Sequence, residues 1–223
     1  MPKRDANVKK IIFWGDGPLS GPGGYGELLE NHVILHHPRT AVSMSIQGAE
    51  NILLADALRE APLHAIGKDP HLLYLAFGHA DIRAGRGAAE IIRSFQDLTD
   101  RILQKTHARV CLSTLIAGFF GGDGERERIR AVNAHLRGLR DPRIGVADLD
   151  AEVDAFLREH RQNEGDQHAL HLDSARLTAL GRLHLAHHAY RLVPWPELQD
   201  PPLAKGTAPA AEAAASGAVL PRS

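Results

Sequence analysis

Short, continuous apolar runs alternate along this chain with longer segments in which apolar residues recur every three or four positions. The runs are VKKIIFW (8–14), AVSMSI (41–46), HLLYLAF (71–77), ARVCLSTLI (108–116) and RIGVADL (143–149). Each has the length of a strand, and their near-unbroken hydrophobicity fits strands covered on both faces. The helical pattern occupies 25–33, 50–60, 87–106, 125–139, 151–160 and 177–192. Five strands separated by helices predict an α/β fold, a three-layer flavodoxin-like sandwich around a five-stranded parallel sheet. In such sheets ligands bind beyond the carboxyl ends of the strands. That places a site among residues 15–20, 46–51, 78–84 and 116–124, with a contribution from the C-terminal segment.

The pattern ends near residue 199. Residues 200–223, DPPLAKGTAPAAEAAASGAVLPRS, are rich in proline, alanine and glycine and carry no regular apolar spacing. They predict a disordered tail behind a single domain spanning 1–199. A chain of 223 residues that is 43% hydrophobic is long enough for one such domain with a substantial core. The 26 basic and 27 acidic residues leave a net charge of −1, which offers no general attraction to nucleic acid or to an anionic membrane. The apolar stretch at 11–14 is far too short for a signal-peptide core, and no run approaches a membrane span. A single cysteine, Cys111, excludes an internal disulfide and sits in an apolar run, as buried filler would. Together these features predict a soluble, cytoplasmic protein.

The chemistry-bearing residues gather where the pattern places the strand ends. GDGPLS (15–20) follows the first strand, SIQGAEN (45–51) spans the end of the second, and GHAD (78–81) follows the third. DSARLTALG (173–181) opens the last helix. In order and spacing these four blocks resemble those of the SGNH/GDSL hydrolases, over about residues 8–192. The resemblance implies an ester-hydrolase fold. It puts the family's serine nucleophile at Gly17, its oxyanion glycine at Gly48 and its oxyanion asparagine at Ala80. It puts the orienting acid at Asp173 and the general base at Arg176.

Three of those positions lack the side chain the chemistry needs. Gly17 has no hydroxyl with which to form an acyl-enzyme. Ala80 supplies no side-chain donor, a loss of roughly 10²–10³ in rate at a comparable oxyanion hole. Arg176 keeps its proton at any working pH and cannot act as a base. The leading expectation is therefore a catalytically degenerate relative that binds a ligand or a protein partner. Its ligand-binding residues would be Asp16, Gly17, Gly48, Ala80 and Arg176. Backbone N–H groups beside a helix start, with an arginine, suit an anion or a carbonyl oxygen.

Two alternatives stand beside it. A weak or rewired esterase could use His171 or His79 with Asp173, and Ser20 as a displaced hydroxyl. A structural subunit could have its pocket closed by Arg176 pairing with Asp16 or Asp173. His79 also has the plainer role of bonding the loop backbone.

Other patterns carry less. His184, His187 and His188 have the spacing of metal ligands on a helix, but no HExxH pattern surrounds them, and a solvated histidine face is expected. His168 and His171 form a further HxxH among 14 histidines. The glycine-rich segment 20–26 lacks the lysine of a phosphate-binding loop and predicts a flexible loop over the site. Segment 121–130 offers only Asp123 and Glu125 as calcium ligands and reads as the solvated start of a helix. No metal or other cofactor is implied.

Overall fold

A computed structural model describes residues 8–21, 23–38, 40–160, 170–171 and 176–195. Asp173, His168 and the stretch 200–223 lie outside the described residues. Five strands form one parallel sheet in the order β2-β1-β3-β4-β5. They are β1 (Lys9–Gly15), β2 (Val42–Gly48), β3 (Leu72–Ala76), β4 (Arg109–Ser113) and β5 (Ile144–Ala147). Leucine, tyrosine and alanine fill β3 without interruption, and every residue of it is buried. β2 and β5 run along the sheet edges and are only partly covered. The expectation of strands buried on both faces thus holds for the centre of the sheet and not for its rims.

The helices are α1 (Gly17–Ser20), α2 (Gly26–His36), α3 (Leu54–His64), α4 (His79–Arg83), α5 (Ala88–Lys105), α6 (Asp123–Gly138), α7 (Leu149–His160) and α8 (Ala179–Leu192). They form two layers: α2 packs on α8 and α8 on α7, while α3 packs on α5 and α5 on α6. On α5 the buried Ile91, Phe95, Leu98 and Ile102 recur at helical spacing, which is the stripe a surface helix turns to its sheet. The core between the layers includes Phe13, Trp14, Tyr74 and Phe77. Its two tyrosine hydroxyls, Tyr25 and Tyr74, satisfy each other at 2.8 Å. Cys111 is buried in β4, and burial pushes its thiol up to about 12, so no thiolate forms at neutral pH.

The glycine-rich segment is a tight connection and not a cover over the site. Gly24 donates to the Gly21 carbonyl, and the Tyr25 N–H to that of Pro18, while the Tyr25 side chain is buried. A Cβ on Gly24 would lie 2.3 Å from the Leu19 carbonyl oxygen, so the glycine is there for close packing on α1. Segment 121–130 does begin a helix: the Glu125 carboxylate accepts from the Gly122 N–H at 3.2 Å and closes the first turn of α6.

Candidate functional site

The strand order reverses around β1, so the loops after β1, β2 and β3 meet at the carboxyl end of the sheet, where such sheets place ligands. The turn after β1 is held by close backbone contact on both sides. Asp16 N–H donates to the Ala76 carbonyl at 2.9 Å, and a Cβ on Gly15 would lie 2.2 Å from that same oxygen. On the other side Gly48 has φ of +119°, and a Cβ there would lie 1.8 Å from the Gly15 carbonyl oxygen. Both glycines are needed for the loops to meet.

Asp16 is fully buried and anchors the β3 loop. Its Oδ2 accepts from the Ala80 N–H at 2.9 Å, and its Oδ1 faces His79 Nδ1 at 3.4 Å. His79 Nε2 accepts from the Ile116 N–H at 3.0 Å, which assigns the ring proton to Nδ1, toward Asp16. His79 therefore joins the β3 and β4 loops through Nε2, while its Nδ1 faces Asp16 Oδ1 without a hydrogen bond. The Nε2 bond is of the kind its plainer expected role describes, and Phe120 stacks on its ring.

The Gly17 N–H is also engaged. It donates to the backbone carbonyl of Glu50 at 3.2 Å. The same oxygen accepts from Arg83 Nη2 at 2.9 Å, and that nitrogen lies 3.4 Å from Asn51 Oδ1. A carbonyl oxygen of the chain thus sits on the donor that the site would offer a ligand. Sequence reasoning missed Glu50, Asn51 and Arg83. Arg83 carried a positional signal, one helical turn beyond His79, whereas a backbone carbonyl has no signature in residue type.

Ser20 donates its hydroxyl to the Gly15 carbonyl at 2.7 Å, with the Asp16 carbonyl at 3.2 Å, so it closes the α1 turn and, among the described residues, bonds no imidazole. His171 is buried, its ring 4.9 Å from that of Phe119, in an antiparallel bridge with Leu177. Arg176 is exposed. Arg176 does not pair with Asp16, which lies beneath the loops and turns to Ala80 and His79, and its other expected partner, Asp173, lies outside the described residues. Among the described residues no three His, Cys, Asp or Glu side chains converge on a metal position.

Asp81 lies behind the turn, its Oδ2 accepting from the Leu54 N–H at 3.1 Å. Burial raises its pKa from 3.8 to about 6, against the opposing Leu54 bond and Arg86 charge. The fold therefore favours the protonated acid, and this contribution is lost as pH rises from about 4 through about 6. Unfolding free energies of the wild type and Asp81→Asn, compared across that window, should diverge by on the order of 2 kcal/mol, with the wild type losing ground as pH rises. Parallel curves would mean that the carboxyl titrates alike in the folded and unfolded chain.

Residues 12–192 match the GDSL-like Lipase/Acylhydrolase family, and the chain belongs to it. Three solved structures of similar fold are an α/β hydrolase from the metagenome of Lake Arreo, Spain, an acetyl xylan esterase, and an acetylxylan esterase from Geobacillus stearothermophilus. The first has a TM-score of 0.70 at 16% identity, over 82% of this chain and 94% of that one. The second has a TM-score of 0.69 at 20% identity, over 83% and 100%. The third has 0.66 at 16%, over 82% and 93%. At these identities the likeness establishes the fold, an α/β sandwich with an all-parallel five-stranded sheet. No curated protein matches the sequence. Among the described residues no helix is long and apolar enough to cross a membrane.

Proposed function

We propose that this chain is a GDSL-family protein that acts by binding and not by ester hydrolysis. The observation that carries the reading is the Glu50 carbonyl seated on the Gly17 N–H and held there by Arg83. An acyl-transfer site must leave its oxyanion donors free for a developing negative charge. Here the donor is taken, the residue that bears it has no hydroxyl, and Ser20 is bonded to a backbone carbonyl. Among the described residues neither His79 nor Ser20 belongs to a hydroxyl–imidazole pair. A ligand with a carbonyl or anionic oxygen would enter by displacing Glu50, meeting the Gly17 N–H and the Arg83 guanidinium.

The same contact favours a second reading, a structural subunit whose pocket stays shut. The two separate in an acetate titration followed at the Gly17 amide by NMR: a saturable shift supports binding, and no shift supports the closed subunit. The similar structures named as esterases make hydrolysis the reading to eliminate first. Purified protein should turn over an activated acetyl ester no faster than a denatured control. Turnover that disappears in Ser20→Ala or His171→Ala would overturn the proposal and identify a rewired esterase.

A further inference from the structure

Six of the 14 histidines meet where α2, α7 and α8 pack together, away from the candidate site. On the α2 side His32 lies 5.9 Å from both His36 and His187, ring centre to ring centre. Tyr190 of α8 stacks on His36 at 4.8 Å, and its hydroxyl meets His37 Nε2 at 3.1 Å. On the α7 side His184 and His188 lie 4.4 Å apart, with Phe156 against the first and the Glu152 carboxylate 2.9 Å from the second. The α8 histidines are thus a solvated face only at His187. His187 is exposed, but His184 and His188 are half-buried because α7 covers them. With no metal-binding convergence among the described residues, the chemistry open to this cluster is protonation.

The charges around it are unequal. His32 is kept below the usual histidine range by burial and by the nearby His187 and His36, with no carboxylate among the groups that act on it. His184 is lowered by burial and by His188 and His187, opposed by Glu152. His188 is lowered by burial, with Glu152 opposing and His187 and Arg191 adding to the effect. Acid therefore adds charge that Glu152 can balance at His184 and His188, whereas no carboxylate is among the groups that act on His32.

The geometry points to an acid-responsive seam: protonation of His32, packed between His36 of α2 and His187 of α8, undocks α8 from α2 and loosens the segment at 170–171 that α8 carries. That segment is tied to α8 through the Thr178 N–H, which donates to the Leu170 carbonyl at 3.1 Å, and through Gly181, where a Cβ would lie 1.8 Å from the same oxygen. It presents His171 to Phe119. The sign follows from the direction of the shift. The docked state prefers a neutral His32, so the stabilisation it contributes is complete above 6.5 and is lost as pH falls below that value. The inference is independent of whether the candidate site binds a ligand.

Hydrogen exchange of the full chain at about pH 7.5 and about pH 5.5, corrected for the intrinsic pH dependence of exchange, tests it. Peptides from α2 and α8 should lose protection at the lower pH, while β1 and β3 stay protected. The double variant His32→Gln, His187→Gln should keep its α8 protection at the lower pH, and His107→Gln, an exposed site outside the seam, should behave as wild type. Equal α8 protection at both pH values, loss of protection in every element alike, or a double variant that still opens would overturn the proposal. Should the double variant fail to fold, an NMR titration of the wild type decides: His32 must charge below 6.5, and charging at or above it overturns the inference.

Discussion

Gly48→Ala is expected to cost about 4 kcal/mol and to lower the melting temperature by roughly 10 °C. Two separate penalties meet at this residue. An alanine at φ of +119° is strained whatever its surroundings, at about 1–3 kcal/mol. Its Cβ would also lie 1.8 Å from the Gly15 carbonyl oxygen and 2.9 Å from Ser20 Oγ. Gly15 cannot retreat, since it is packed against the Ala76 carbonyl on its other side. The last β1–β2 pair, Gly15 with Gly48, would have to part and take the turn at Asp16 with it. Gly85→Ala separates the two penalties: φ there is +77°, and a Cβ would meet nothing within 4 Å. It should cost about 1–2 kcal/mol from the backbone conformation alone. Thermal unfolding of both variants provides the check, and equal losses would show that the approach of the β1 and β2 loops is not what Gly48 serves.

What could be read from the sequence were features with a residue-type signature. Unbroken apolar runs located β3 and β4 to within a few residues, and the spacing of Ile91, Phe95, Leu98 and Ile102 located α5. The blocks around Gly17, Gly48 and Ala80 fell at strand ends, so their meeting at one end of the sheet was foreseeable. Contacts made by the backbone were not. Gly17 and Glu50 are joined through an N–H and a carbonyl, and although His79 was expected to bond loop backbone, nothing marked the Ile116 N–H as its partner, because every residue but proline possesses such a group. The histidine seam escaped for a different reason. Read alone, the histidines of α8 look like a polar face, and their partners on α2 lie about 150 residues earlier in the chain. A short helix such as α1, with proline near its start and glycine after its end, reads as loop because its few residues cannot display a period.

Replacing Gly17→Ser, Ala80→Asn and Arg176→His together is expected to leave ester turnover close to the wild-type level. The three changes would restore the side chains that the family resemblance assigns to nucleophile, oxyanion donor and base. They would not free the N–H of residue 17 from the Glu50 carbonyl. A substrate carbonyl would have to displace that oxygen while Arg83 holds it from the other side. An oxyanion donor is worth roughly 10²–10³ in rate, so a blocked one can mask an otherwise complete triad. Adding Arg83→Ala removes the second hold on Glu50 and should raise turnover of an activated acetyl ester by about 10²-fold over the triple variant. Arg83→Ala alone, which supplies neither hydroxyl nor base, should remain inactive. The decisive comparison is kcat of the triple against the quadruple variant. A triple variant that is already fast, with nothing gained from Arg83→Ala, would mean that the Glu50 carbonyl yields readily. Loss of hydrolysis would then rest on the three side chains alone, and the 49–51 loop would be a cover that any carbonyl ligand can lift.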